Sequence, residues 1–169
     1  DNQQVPSIVG TLTLFDPDTG LPLAIMDATA ITRLRTGAAT GVATRLLARA
    51  DAQVLSLIGA GNHAWTQLEA ILAVRPRIEH VLIHDLDEAR ATQLALQATD
   101  RFGIVAQVAR TAEEAVRPAD ILTTLTPARS PVVQADWVRP GTHINAVGAD
   151  AAGKQELASA LTASARIIV

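Results

Sequence analysis

The chain has 169 residues, enough for one domain with a sizeable core; 49% are hydrophobic but only 2% aromatic, so Ala, Val, Leu and Ile must fill that core. A net charge of −3 and a pI near 5.8 give no basic field for nucleic acid, and the lack of cysteine excludes disulfides and thiolate metal sites. The four histidines (His63, His80, His84, His143) lack metal-ligand spacing, no apolar run approaches a membrane span, and no signal-peptide pattern opens the sequence. The expectation is a cytoplasmic protein with no metal, nucleic acid or membrane partner.

Ile8–Phe15 and Leu21–Met26 predict a β-hairpin turning at Asp16-Pro17-Asp18-Thr19-Gly20, where Pro17 presets φ and Gly20 can supply a positive one. A lone hairpin is marginal, so its strands are expected either to pair with a second subunit, as in a homodimer, or to be covered by residues of the parent protein outside this sequence. Thr29–Arg49 reads as a helix, and its small-residue stretch from Thr36 to Ala43 favours close backbone contact with a neighbour. From Val54 the pattern alternates. Val54–Ile58 is a strand, the segment through Trp65, Leu68, Ile71 and Leu72 a helix, and Val81–Ile83 a second strand. Asp87–Arg101 is predicted helical, Ile104–Val108 a third strand, and Thr111-Ala112-Glu113-Glu114 caps a short helix. Asp120–Thr126 and Thr142–Val147 are predicted as strands four and five, Lys154–Ala163 as a helix and Ile167–Val169 as a sixth strand. The fold class expected is α/β, a doubly wound parallel sheet preceded by a hairpin.

The chemistry concentrates in Gly59-Ala60-Gly61-Asn62-His63-Ala64, which joins the first strand to its helix. Gly59 permits the tight turn, Gly61 leaves room for a pyrophosphate, and Ala64 stands where helix and sheet approach closely. The phosphates would meet the unpaired N–H groups of the new helix. Asp85 closes the second strand, where a ribose hydroxyl pair needs an acceptor. These features predict dinucleotide binding, with NAD favoured over NADP because Asp85 repels a 2′-phosphate; His84 and Arg90 stand close enough to meet one. Ligands of such sheets lie beyond the strands' carboxyl ends, so Thr126, Asp150 and Lys154 are candidates. Thr126 either contacts the cofactor or bonds its own backbone, and Lys154 either neutralises phosphate or is solvated. Asp150 is either a proton-transfer acid beside the nicotinamide or a loop-capping aspartate. Arg35 is either a carboxylate clamp or a surface arginine.

Gly10–Asp16, Thr19–Ala24, Arg35-Thr36-Gly37-Ala38-Ala39, the glycine turn, Ala119-Asp120-Ile121, Pro140-Gly141 and the run from Gly148 through Asp150, Gly153 and Lys154 to Glu156-Leu157 resemble the ornithine cyclodeaminase/mu-crystallin family. The resemblance implies a Rossmann NAD-binding domain over 29–169 with its leading helix, and over 1–28 a remnant of the substrate and dimerisation domain. It makes Asp150 the proton-transfer acid and Arg35 the substrate-carboxylate and cofactor arginine, with Thr36 also on the cofactor side. Asn62 and His63 fall at the pyrophosphate turn, Asp85 at the adenosine ribose, Thr126 after strand four, and Ala146, Val147, Gly148, Ala149 and Lys154 along the nicotinamide. The implied activity is NAD-dependent cyclodeamination of L-ornithine to L-proline and ammonia. Cyclic ketimine reduction and alanine dehydrogenation use the same residues, and a non-catalytic mu-crystallin-like binding protein or inactive truncated module is the reading from another class. The resemblance covers the middle half of a family member; segments that would add a further arginine and a lysine and complete the substrate domain have no counterpart here. Most of the cofactor site and part of the substrate site are therefore expected, and turnover by this chain alone is left open.

Overall fold

A computed structural model describes residues 9–169. β1 (Thr11–Phe15) and β2 (Pro22–Asp27) pair antiparallel, and the turn between them is closed by Asp16 Oδ1, which accepts the Asp18 and Thr19 N–H groups at 2.9 Å. The expected start at Ile8 lies outside the described residues. Asp27 ends β2 and at once caps α1 (Ala28–Leu47), accepting the Thr29 N–H at 2.8 Å.

Then follow β3 (Val54–Ile58), α2 (Ala64–Val74), β4 (His80–His84), α3 (Glu88–Phe102), β5 (Val105–Val108), α4 (Ala112–Val116), β6 (Ile121–Thr124), a 3-10 turn at Ala135–Trp137, β7 (His143–Ala146) and α5 (Ser159–Ser164). The five core strands are parallel in the order β5-β4-β3-β6-β7. Apolar side chains cover both faces, as a buried parallel sheet requires. One face packs Leu55 and Leu57 against Leu68 and Ile71 of α2 and Ala91 and Leu94 of α3. The other packs Ile58 and Leu122 against Val116 of α4, Val133, and Leu161 of α5. The sheet is doubly wound, with its switch between β3 and β6.

α1 lies on α2 through its small residues. A Cβ on Gly37 would fall 2.6 Å from the Thr66 carbonyl oxygen, and one on Gly41 would fall 3.2 Å from Ala70. The far end of α1 is held by buried Arg75, whose guanidinium donates to the carbonyls of Thr44, Arg45 and Ala48 at 2.8, 3.1 and 2.6 Å.

Two expectations at the carboxyl end are corrected. The helix expected over Lys154–Ala163 is confined to Ser159–Ser164, because Leu157 bridges Val133 in parallel and Gln155 N–H donates to Ala128 C=O at 2.8 Å. Ile167–Val169 is not a sixth strand: the three residues are exposed and pair with no strand among the described residues. β6 also stops at Thr124, two residues before its expected end.

Candidate functional site

The switch between β3 and β6 opens a crevice at the strands' carboxyl ends, and the glycine turn forms its floor. Gly59 sits at φ +107°, a conformation suited to glycine, and an added Cβ would meet Leu125 at 3.2 Å. Its N–H donates to His84 C=O at 2.8 Å, so the turn leaves β3 tied to β4. Gly61 faces open space, with no atom within 4 Å of an added Cβ. α2 then begins at Ala64 with no acidic residue in its first turn and no side-chain capping bond from His63. Such a helix end leaves its first N–H groups and positive dipole for an anion. A dinucleotide pyrophosphate fits this turn.

Asp85 stands beside it. Its Oδ2 accepts the Ala60 N–H at 2.6 Å and its Oδ1 the Asp87 N–H at 2.8 Å, which aims the carboxylate along the edge of the turn. Each oxygen keeps a second lone pair for a ribose hydroxyl. A groove of about 520 Å³ between α2 and α3 opens next to it, lined by Gly61, Asn62, Trp65, Arg90, Gln93 and Gln97. Arg90 is held there by Asp87 at 3.0 Å.

The opposite side of the crevice is built by the ends of β6 and β7. Glu156, only 1% exposed, gathers four donors: Thr124 Oγ1 at 2.8 Å, Thr126 N–H at 2.6 Å, Thr126 Oγ1 at 2.8 Å and Gly148 N–H at 2.8 Å. Gly148 is required there, because its Cβ would fall 2.5 Å from Thr126 N and 2.7 Å from Glu156 Oε1. The Thr126 hydroxyl donates to Glu156, a partner that neither alternative named, and also accepts the Ala128 N–H at 3.4 Å, the local backbone bond that one alternative expected. Ala146 ends β7, and Val147 N–H donates to Thr124 C=O at 3.0 Å, so Ala146–Ala149 follow the rim of the sheet.

Asp150 lies on the exposed continuation of this loop, and Lys154 Nζ meets its Oδ1 at 2.5 Å. The Lys154 hydrogen bond, with the positive charges of Lys154 and His63, holds the Asp150 carboxyl below its ordinary value. Lys154 is therefore the partner of Asp150, in a loop and not at a helix start. Arg35 is exposed on α1 and makes no ion pair among the described residues, whereas the Thr36 hydroxyl donates back to Thr32 C=O at 2.7 Å within α1. No group of three or more metal-ligating side chains occurs among the described residues, and none of their helices is long and apolar enough to cross a membrane.

The whole chain, residues 1–169, matches the sequence profile of the ornithine cyclodeaminase/mu-crystallin family. The chain belongs to that family. Within it, the solved structure of an archaeal alanine dehydrogenase dimer with bound NAD superposes with TM-score 0.93 at 47% identity, covering 98% of this chain and 51% of that one. A Thermococcus litoralis Δ1-pyrroline-2-carboxylate reductase, solved with NADH and L-proline, gives TM-score 0.89 at 44% identity over 93% of this chain and 48% of its own. An L-lysine cyclodeaminase of Streptomyces rapamycinicus is 41% identical over 98% of this chain and 48% of its length. The chain spans about half the length of these family members.

Glu156 sits in the family motif without a predicted role; its neighbours are far apart in sequence, and nothing local marks it as a clamp. Gln67 was missed as well. It is fully buried on α2, one turn beyond His63, and neither its amide nor His63 Nδ1 has a hydrogen-bond partner among the described residues. A glutamine on the helical face that also carries Ala64, Leu68 and Ile71 was the only available signal.

Proposed function

We propose that this chain is the dinucleotide-binding half of an NAD-dependent enzyme that exchanges hydride and a proton across the C–N bond of a small amino acid or cyclic imine. The observation that carries the reading is the placement of Asp150. It stands on a loop anchored to the end of β6 through Gly148 and Glu156, at the carboxyl ends of the strands next to β3, which feeds the phosphate turn. Bound nicotinamide supplies the acceptor or donor of hydride. The residues of the chain do the rest. The turn at Gly59–His63 and the start of α2 hold the pyrophosphate, Asp85 holds the adenosine ribose, and the Ala146–Ala149 rim flanks the reactive end. Asp150, kept ionised by Lys154, accepts a proton from the substrate ammonium as hydride leaves carbon, and returns it in the reverse direction. Arg35 is assigned to the substrate carboxylate.

Reversible amino-acid or imine redox is favoured because two of the relatives described above are an alanine dehydrogenase and a pyrroline-2-carboxylate reductase. Cyclodeamination, with L-ornithine as the first substrate to try, is the second reading, favoured by the lysine cyclodeaminase relative. Pairing of two copies through the hairpin agrees with the dimeric relative and with the exposed Leu14, Phe15, Leu21, Leu23 and Ile25. The reading is tested by titrating NADH and NADPH while following the fluorescence of Trp65, which lines the groove beside the turn. NADH is expected to bind at least about tenfold more tightly, because Asp85 accepts ribose hydroxyls but repels a phosphate. Loss of any NADH response overturns the proposal, and tighter NADPH binding overturns the role of Asp85. The bound chain is then offered pyruvate with ammonium, pyrroline-2-carboxylate and L-ornithine. NADH oxidation with either of the first two supports the redox reading, and proline with ammonia from the third supports the second.

A further inference from the structure

We infer that Glu156 is a positioning residue whose buried negative charge biases the site toward the oxidised cofactor. The inference rests on the NAD reading above. Glu156 is 1% exposed, and no lysine, arginine or histidine among the described residues forms an ion pair with it. A buried carboxylate without a cation is costly, and here only dipoles meet it: two threonine hydroxyls and two backbone N–H groups. All four partners are donors, so the clamp needs a group that only accepts; a carboxylate meets that need and also places a negative charge behind the rim.

The position of the charge explains its use. The carboxylate lies at the carboxyl ends of β6 and β7, across the β3–β6 switch from Asp85, just past β4. A dinucleotide with its adenosine ribose at Asp85 crosses the switch and lays its other end over β6 and β7. Gly148 brings the rim against the carboxylate, since a Cβ added there would stand 2.7 Å from Glu156 Oε1. The nicotinamide ring is cationic when oxidised and neutral when reduced. A fixed anion behind the rim therefore favours the oxidised ring, in a site where partial exclusion of water strengthens the attraction.

The experiment measures dissociation constants of NAD⁺ and NADH for the full chain and for Glu156→Gln and Glu156→Asp, with folding checked by circular dichroism. In E156Q, NAD⁺ is expected to weaken by roughly fivefold or more beyond any change in NADH. E156D keeps the charge but shortens its reach, so both forms weaken together and their ratio stays within about twofold of the wild type. A purely structural clamp would weaken both forms equally in E156Q as well, and that result overturns the inference. Should E156Q fail to fold, Thr124→Val decides: it removes one donor that offsets the charge, so NAD⁺ tightening relative to NADH supports the inference, and an unshifted ratio overturns it. A wild-type chain that binds neither form removes the NAD reading and the inference together, whereas normal binding with an unshifted ratio in E156Q removes the inference alone.

Discussion

A carboxylate that exchanges protons with an amine must be ionised when the amine arrives and still close enough to be steered. Asp150 meets the first condition as an exposed carboxylate, and the hydrogen bond and charge of Lys154 lower its proton affinity further. Glu156 and Gly148 meet the second by fixing the start of its loop. Asp150→Asn keeps the shape and removes the proposed base, so turnover should fall by about 10²–10⁴-fold while NADH affinity stays within about threefold. A variant with unchanged kcat would show that Asp150 only caps its loop. Lys154→Met tests the pair differently. Without the ammonium, the Asp150 carboxyl rises toward its ordinary value of 3.8. Proton acceptance requires the ionised form, so the acid limb of the pH–rate profile should move to higher pH. An acid limb that stays where it is would mean that another group governs it.

The contact of α1 with α2 sets where Arg35 stands relative to the phosphate turn, and it depends on two glycines that differ in how much room they have. A Cβ at Gly37 would lie 2.6 Å from a backbone oxygen, whereas one at Gly41 would lie 3.2 Å from the Ala70 Cβ and oxygen. Alanine gains about 1 kcal/mol of helix propensity at either site, so the difference between the two variants reports on the helix contact alone. Gly37→Ala should be less stable than Gly41→Ala by about 1–3 kcal/mol in urea unfolding. Equal midpoints would mean that α1 shifts freely on α2. The small-residue crowding from Thr36 to Ala43 was readable in the sequence because close helix packing demands it locally. So were β3, the glycine turn, β4 and Asp85, where one continuous segment carries strand, turn and helix signals. Lys154–Leu157 departs from the expected helix, although Leu157 and Leu161 are spaced as on one helix face, because its true partners, Val133, Ala128 and Thr126, come from a distant loop. The commitment of Thr126 to Glu156 was hidden for the same reason: a buried carboxylate is explained by its donors, and these lie 8–32 residues away.

The molecule as a whole is fastened by polar groups at the opposite end of the sheet from the site. Asp120 precedes β6, and its Oδ2 accepts Gln53 and Val54 N–H at 2.9 and 3.1 Å, at the entry to β3. Its Oδ1 meets Arg49, just past α1, at 2.6 Å and Arg139, before β7, at 3.2 Å. Burial pushes this carboxyl up, but the two N–H groups and the two guanidinium charges outweigh it and leave it below its ordinary value of 3.8. Farther along, His143 is held below 6.5 by burial and by the charge of Arg75, against a hydrogen bond to Asn145 that opposes them. Asn145 in turn donates to Thr44 of α1 at 3.1 Å and Thr123 of β6 at 3.4 Å. Both lowered groups bind protons more readily in the unfolded chain, so both make stability fall with acid. His143 acts first, as pH drops below 6.5, and Asp120 acts below 3.8, its contribution disappearing as pH passes through the lowered value. Asp120→Asn should cost about 1–3 kcal/mol at pH 7, because an amide nitrogen then faces two arginines or the N–H pair loses an acceptor. The gap between variant and wild type should persist at pH 5 and narrow toward pH 3 in urea titrations, since acid removes from the wild type what the substitution has already taken away. His143→Gln should flatten the decline between pH 7 and pH 5 while leaving the acid step intact. A gap that stays constant down to pH 3 would mean that the carboxylate charge does not hold α1, β3, β6 and β7 together, and that packing alone aligns the strand ends on which the site is built.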